Sequence, residues 1–263
     1  MHDFAFHRPT SLKDARALFA RCDDASYLAG GMTLLPTLKQ RLAMPSDLID
    51  LSAVGELVGI TITDSTVTIG AMTPHAMIET DKALAAAVPV LAAIARQVAD
   101  PMVRSRGTIG GSLANSDPAA DWPAAALGLG ATLVTDSREI AADDFFTGLF
   151  ETALEPGEIL TAIRIPRPRR AAYEKFSQPA SGFALVGVLA AETADGPRVA
   201  VTGAAACVFR QTAMEQALAA SWSADAVRAV AVSADGLNSD IHAAADYRAH
   251  LVSVMAGRAV AAA

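Results

Sequence analysis

Two glycine-rich segments contain the residues best suited to chemistry. The first glycine segment, residues 29–36, reads Ala-Gly-Gly-Met-Thr-Leu-Leu-Pro, and the second, residues 107–121, combines glycines with hydroxyl, amide and carboxylate side chains. Glycine allows a backbone to approach a ligand closely, and successive backbone N–H groups can then bind a phosphate. Hydroxyl groups of Thr33, Thr108 and Ser112 would add donors. The two segments therefore predict a site for a phosphorylated ligand.

Neither glycine segment carries a complete nucleotide-binding signature. No Gly-Lys-Ser or Gly-Lys-Thr follows, which excludes a Walker A loop, and neither matches the dinucleotide fingerprint Gly-x-Gly-x-x-Gly. Taken alone, the first segment also fits an ordinary turn between a strand and a helix. The second is more specific, because Asn115, Asp117 and Asp121 join its glycines and hydroxyls within one short stretch.

Three further polar residues allow both a functional and a structural interpretation. Asp121 fits the N-cap of a helix beginning at Trp122, which would not exclude contact with a ligand. Lys175 fits a solvated charge on a strand. His75 follows Pro74 and is expected to cap a helix or to lie at the surface.

The remaining titratable residues predict no catalytic centre and no metal site. A solvated acidic face is expected from Glu151, Glu155 and Glu158. No metal-ligand spacing joins the other histidines, which are His2, His7, His242 and His250. Two cysteines, Cys22 and Cys207, are too few for a disulfide framework or an all-cysteine zinc or iron–sulfur site. No nucleophile with an adjacent base stands out, so no catalytic residue is predicted.

Composition narrows the class of protein. The 263 residues are 52% apolar and 19% charged, which excludes a disordered chain and allows a large core. Aromatic residues make up only 5%, so the core must be largely aliphatic and rich in alanine. The net charge of −7 argues against a nucleic-acid-binding protein. No secretory signal or membrane-spanning run is visible, and a cytoplasmic protein is expected.

The order of predicted helices and strands indicates an N-terminal α/β lobe, a second lobe, and a smaller last part in which strands precede helices. Ser11 is expected to cap a helix beginning at Leu12. Residues 72–100 read as helices interrupted at two prolines, whereas residues 105–121 show neither helical nor strand period and predict a long loop. Further helices are predicted at 34–42 and 122–129, and strands at 27–29, 47–51, 58–62, 67–71, 131–135 and 159–165.

A Pro- and Arg-rich linker at 166–170 precedes the last part of the chain. Strands are predicted there at 172–177, 183–192 and 198–209, and two or three helices follow from about residue 211. These elements predict a compact unit in which strands come first and helices second.

The two glycine segments, read as AGGMTLLP and GTIGGSLANSDPAAD, resemble the FAD-binding medium subunits of the molybdenum hydroxylases, the family of aerobic carbon monoxide dehydrogenase and xanthine dehydrogenase. The similarity extends to the later GEILTAIRIP and AYEKFSQ segments. It implies an α+β fold with a two-lobed, vanillyl-alcohol-oxidase-like (PCMH-type) FAD-binding domain at 1–168, with lobes at about 1–53 and 54–168. A small C-terminal domain of the carbon monoxide dehydrogenase flavoprotein type is expected at 169–263.

The resemblance also implies roles for individual residues. The two segments would hold the diphosphate of a non-covalently bound FAD, Asp121 would accept hydrogen bonds from it, and Leu160 and Lys175 would line the flavin end. Met32 departs from relatives that often carry Gln or His there, so it would contact FAD through its backbone or by packing. The complete implied set is Ala29, Gly30, Gly31, Met32, Thr33, Leu34, Thr108, Ile109, Gly110, Gly111, Ser112, Asn115, Asp117, Asp121, Leu160 and Lys175.

By the same resemblance, the chain is an electron-transfer subunit. A large molybdopterin subunit would oxidise the organic substrate, and a small subunit would relay electrons through 2Fe–2S clusters to the FAD of this chain. An external acceptor would then take them, and the complex would be a dimer of heterotrimers. The C-terminal domain looks short for the family, which bears on its subunit contacts. Two alternatives stay open, a self-contained FAD-dependent oxidoreductase and a non-redox nucleotide-binding scaffold.

Overall fold

The N-terminal part of the chain forms a three-stranded parallel sheet in the order β1-β3-β2. In this computed structural model, which describes residues 1–263, its elements are β1 (Ala5–His7), α1 (Leu12–Phe19), β2 (Ala25–Leu28), α2 (Leu34–Lys39) and β3 (Asp47–Asp50). The Ser11 hydroxyl accepts the Asp14 N–H at 3.1 Å and caps α1 as predicted. Helix α2 ends earlier than predicted, where Arg41 adopts a φ of 60° that no α-helix continues.

The middle part is built on a five-stranded antiparallel sheet in the order β4-β5-β10-β6-β7. Its central strand places Ile163 between Ile69 and Leu133. The elements are β4 (Ile60–Ile62), β5 (Thr66–Gly70), α3 (His75–Thr80), α4 (Lys82–Ala87), α5 (Pro89–Gln97), α6 (Pro101–Arg106), α7 (Ile109–Asn115), α8 (Asp121–Gly128), β6 (Thr132–Thr135), β7 (Glu139–Ala141), α9 (Ala142–Phe145), β8 (Phe146–Gly148), β9 (Glu151–Thr152) and β10 (Leu160–Pro166).

Helix starts in this part follow from proline and capping chemistry. Pro74 precedes α3 as its N-cap and Pro89 is the first residue of α5, so both prolines begin helices, as the predicted interruptions require. The long loop predicted at 105–121 is wrong, because it contains the end of α6 and all of α7. Thr108 caps α7 through its hydroxyl, and Ser116 ends it with a φ of 46°.

The C-terminal part is a four-stranded antiparallel sheet followed by helices, as predicted. The predicted strand at 198–209 is divided in two, because Gly203 turns the chain with a φ of 82°. The elements are β11 (Arg170–Ser177), β12 (Ala184–Thr193), β13 (Gly196–Thr202), β14 (Phe209–Arg210), α10 (Thr212–Ala220), α11 (Ala224–Arg228) and α12 (Ala245–Ala262).

Helix α8 joins the middle and C-terminal parts into one core. Every residue of α8 is buried, and its alanine-rich surface lets it pack closely against β12 and β13 of the C-terminal sheet. A Cβ on Gly128 would collide with the end of the Leu189 side chain of β12 and lie 3.1 Å from Cβ of Ala200, so a larger residue would force these side chains to move. Leu189 shares the main core, whereas its neighbour Val188 faces the core beneath α10 and α12. The division into domains at residue 168 stays a prediction.

None of the helices combines the length and the apolar character needed to cross a membrane.

Candidate functional site

The two glycine segments lie against each other at the wall of one cleft, the central cleft, with a volume of about 530 Å³. A Cβ on Gly30 would lie 2.8 Å from Cα of Gly107, and closer still to the carbonyl oxygen of Arg106. A Cβ on Gly111 would lie 3.3 Å from Cβ of Ala29. Glycine is therefore required at Gly30 by the approach of one backbone to the other, in addition to any approach to a ligand.

The first glycine segment presents a row of free backbone donors. It connects β2 to α2, and Gly31 makes the turn with a φ of 75°. The amide N–H groups of Gly30, Gly31, Met32 and Thr33 donate no hydrogen bond within the protein. Because neighbouring N–H groups in such a turn can converge on one anion, this row is the feature of the cleft best suited to a phosphate.

The second glycine segment uses its backbone donors internally. The N–H groups of Ile109 and Gly110 bond to carbonyl oxygens in the chain before α3, at 3.2 and 2.8 Å, and the Gly111 N–H bonds to the Thr108 hydroxyl at 3.1 Å. Ser112 and Asn115 line the cleft, and their side chains form no hydrogen bond within the protein. This segment therefore offers side-chain donors to a ligand, where the sequence predicted backbone donors as well.

Most of the predicted site residues line the central cleft, and two do not. Ile109 is only 1% exposed and belongs to the main core, so its side chain faces away from the cleft. Lys175 also lies outside the lining and reaches the cleft wall only through Asp121. The lining includes Ala29, Gly30, Gly31, Met32, Thr33, Leu34, Thr108, Gly110, Gly111, Ser112, Asn115, Asp117, Asp121 and Leu160.

Asp121 is held by two side chains from β11. The Tyr173 hydroxyl donates to Oδ1 at 2.6 Å, and the Lys175 ammonium donates to Oδ2 at 3.0 Å. The N-cap predicted for Asp121 is wrong, because Ala120 holds the N-cap position and the carboxylate caps nothing. The alternative of a solvated Lys175 is also wrong, since that side chain is 5% exposed and also donates to the Gln97 carbonyl.

Burial sets the protonation states of Asp121 and Tyr173. It raises the pKa of the Asp121 carboxyl, and the charge of Lys175 opposes that shift. Burial, with the negative charge of Asp121 beside it, also raises the pKa of Tyr173 well above its ordinary value. Tyr173 therefore stays a hydrogen-bond donor at neutral pH, and the Asp121–Lys175 pair forms a fixed salt bridge in the cleft wall.

His75 is buried at the cleft wall, which makes the predicted capping or surface position wrong. His75 is 4% exposed, and its Nδ1 accepts a hydrogen bond from the Trp122 indole at 3.1 Å. Burial, together with the charge of Arg104, lowers the pKa of His75 to about 4. The ring is therefore neutral, and the indole donor leaves its proton on Nε2.

The predicted acidic face is correct for Glu151 and Glu155 and wrong for Glu158. The side chain of Glu158 is 3% exposed and accepts hydrogen bonds from Thr135, Ser137 and Arg138. The Arg138 hydrogen bond is the main reason that the pKa of Glu158 lies far below its ordinary value. Its charge is neutralised by Arg138, so it does not act as a free anion in the cleft.

The sequence did not predict the part of the cleft formed by the connection between β11 and β12. Ser181, Gly182 and Phe183 line the cleft there, and Phe183 is 48% exposed. Tyr27 lines it from β2, and burial raises the pKa of Tyr27 to about 12. The only sequence signal for the segment from Ser181 to Phe183 was its Ser-Gly pair, which occurs in many turns that bind no ligand.

A comparison with protein families matches residues 2–168 to the FAD binding domain in molybdopterin dehydrogenase. This match covers more than half of the chain and includes both glycine segments. The chain belongs to the family of FAD-binding medium subunits of the molybdenum hydroxylases.

This flavoprotein subunit is similar to known medium subunits in both sequence and structure. It is 45% identical to the carbon monoxide dehydrogenase medium chain of Afipia carboxidovorans over 73% of this chain and 70% of the relative. It is 37% identical to the nicotine 6-hydroxylase medium subunit of Paenarthrobacter nicotinovorans over 96% of this chain and 94% of that relative. The solved structure of reconstituted carbon monoxide dehydrogenase from Oligotropha carboxidovorans superposes on this chain with a TM-score of 0.91 at 36% identity. The superposition covers 99% of this chain and 97% of that chain. The predicted PCMH-type fold is confirmed.

The chemistry of the central cleft fits the FAD of this family. No lysine or arginine is among the residues that line it. An anionic diphosphate would therefore be stabilised by hydrogen bonds from backbone N–H and hydroxyl donors, as at other glycine-rich phosphate sites. Apolar side chains such as Leu51, Met72 and Leu160 provide the remaining surface that a flat aromatic ring system requires.

Proposed function

We propose that the central cleft holds FAD with its diphosphate on the first glycine segment. The observation that carries this proposal is the row of free N–H groups from Gly30 to Thr33, which face a cleft without cationic side chains. The side chains of Thr33, Ser112 and Asn115 supply further donors beside this row. Met32 is 37% exposed and contributes through its backbone N–H.

The other wall of the cleft positions the rest of the cofactor. Asp121 supplies a carboxylate acceptor to FAD, and Leu160 packs against its flavin end. Lys175 acts by holding Asp121, and Ile109 acts by fixing α7 against the core. This division gives two of the expected contact residues a supporting role rather than direct contact with FAD.

In the complex, the subunit takes electrons from 2Fe–2S clusters of a small partner subunit and delivers them to an external acceptor. Support comes from relatives that are named as medium chains or medium subunits of dehydrogenases and hydroxylases. Bound flavin can exchange electrons singly or in pairs, which suits a relay between clusters and an acceptor. A large molybdopterin subunit oxidises the organic substrate, and the complex is a dimer of heterotrimers. The cytoplasmic location stays a prediction.

The first experiment identifies the cofactor in the purified chain. A visible absorption spectrum is recorded, and the chromophore is released with acid and identified by chromatography. Released FAD supports the proposal. A chain that stays colourless when FAD is added would contradict it and favour the non-redox scaffold.

The second experiment tests the electron path in the complete complex. The chain is co-expressed with its large and small partner subunits, and substrates named for relatives, such as carbon monoxide, nicotine and caffeine, are screened for reduction of an external acceptor. A complex carrying Gly111→Val in this chain should reduce its clusters but not the acceptor. Acceptor reduction at the wild-type rate without FAD would overturn the proposed path, and donor turnover by the isolated chain would favour a self-contained oxidoreductase.

A further inference from the structure

Three potential metal ligands converge at the edge of the N-terminal sheet. Nε2 of His7 lies 2.7 Å from Oδ1 of Asp47, and the Cys22 sulfur lies within 4.8 Å of both ligand atoms. His7 ends β1, Asp47 begins β3, and Cys22 lies in the connection from α1 to β2. The three residues are far apart in sequence, which is why no ligand spacing revealed them.

We propose that His7, Cys22 and Asp47 form a binding site for one zinc ion. The set combines imidazole nitrogen, sulfur and carboxylate oxygen, the three ligand types that zinc takes in proteins. Ligand atoms around tetrahedral zinc lie about 3–4 Å apart, so small side-chain rotations from the present arrangement are sufficient. A thiolate and a carboxylate together balance the double charge of the ion.

The surroundings of the three ligands support a metal site. The Ser46 hydroxyl donates to Oδ2 of Asp47 at 2.6 Å, which leaves Oδ1 directed at His7. Such a second hydrogen bond is how proteins orient a carboxylate ligand. The side chains of His7 and Asp47 are 30% and 16% exposed, so an ion can enter and water can supply a fourth ligand.

This site is separate from the central cleft. Asp47 begins β3, whereas Leu51, immediately after β3, lines the cleft. The two ends of the strand are about 10–13 Å apart at the usual rise per residue. Zinc would tie β1, β3 and the start of β2 together without contact with the proposed FAD site, so loss of the metal leaves FAD binding intact.

The test uses the full chain after treatment with a chelator, with zinc chloride as the probe. Competition with a chromogenic chelator measures affinity and stoichiometry, and cobalt substitution reports a thiolate ligand by its charge-transfer absorption in the near ultraviolet. We expect one equivalent of zinc, bound by the wild type and by the Cys207→Ser control. Cys22→Ser should lose the charge-transfer band and weaken zinc binding strongly.

One further variant keeps the outcome independent of folding. Ser46→Ala retains all three ligands and should weaken zinc binding about 10- to 100-fold, as loss of an orienting hydrogen bond does in other metal sites. Every variant should retain its FAD, which shows that the fold is intact and separates this result from the proposed function. Absence of stoichiometric zinc in the wild type, or wild-type affinity in Cys22→Ser, would overturn the proposal.

Discussion

The Tyr173 hydroxyl lies 2.6 Å from Oδ1 of Asp121 and links the C-terminal sheet to the wall of the central cleft. Lys175, two residues further along β11, binds the other carboxylate oxygen from the same face of the strand. The part of the chain after the linker thus positions a residue of the proposed FAD site. FAD binding at the proposed site should therefore be coupled to the attachment of β11 to α8 through Asp121.

Replacement of Asp121 by alanine should weaken FAD binding by about 1–3 kcal/mol, the usual cost of an unpaired buried polar group. Tyr173 and Lys175 would also lose their shared partner, so the melting temperature should fall. Titration of the apo-protein with FAD measures the first effect and thermal unfolding the second. Asp225→Ala is the control, since that side chain is 97% exposed. Unchanged FAD affinity in Asp121→Ala would limit this residue to a structural role.

Replacement of Gly111 by valine should abolish FAD retention. Its Cβ would lie 2.9 Å from the Thr108 hydroxyl that caps α7 and 3.3 Å from Ala29 of the facing segment, and valine adds two methyl groups beyond it. The FAD content of the purified variant measures the effect. Gly55→Ala is the matched control, because a Cβ there meets no atom within 4 Å. A Gly111→Val chain with full flavin content would place the diphosphate elsewhere.

FAD affinity should depend little on ionic strength, changing by less than about threefold between low and high salt. The reason is that the cleft offers N–H and hydroxyl donors rather than lysine or arginine side chains. Titrations at several salt concentrations test this. Thr33→Lys provides a comparison, because it adds a cation to the cleft and should introduce a clear salt dependence. Steep dependence in the wild type would mean that arginine or lysine residues hold the diphosphate.

The buried His75 should make stability fall as the pH is lowered from about 6.5 towards 4. The pKa of His75 in the folded protein, about 4, lies below its ordinary value of 6.5, so the unfolded chain takes up the proton first. Its contribution, on the order of 3 kcal/mol, is complete above pH 6.5 and is lost as the pH falls through the folded value.

Thermal unfolding of the His75→Gln variant across this pH range tests the assignment. The variant should lose less stability on acidification than the wild type, although its melting temperature at neutral pH is lower because the Trp122 indole loses its acceptor. His242→Gln is the control, since that histidine is exposed. The same pH dependence in His75→Gln as in the wild type would disprove the role of His75.

The local elements and the family were predictable from the order of the amino acids alone. Ser11 marked a helix start, Pro74 and Pro89 marked interruptions between helices, and the two glycine segments indicated a phosphorylated ligand. These signals are local, because capping and proline geometry depend on residues close together in the chain.

Which polar groups are free and which form hydrogen bonds became visible only in the folded chain. Glu158 is neutralised by Arg138, and His75 is buried against Trp122. The first backbone N–H groups of α7 donate hydrogen bonds to carbonyl oxygens in the chain before α3. Folding also brings His7, Cys22 and Asp47 together. Such pairings join residues distant in sequence, and their burial, which sets both hydrogen bonding and pKa, arises only when the sheets and helices pack.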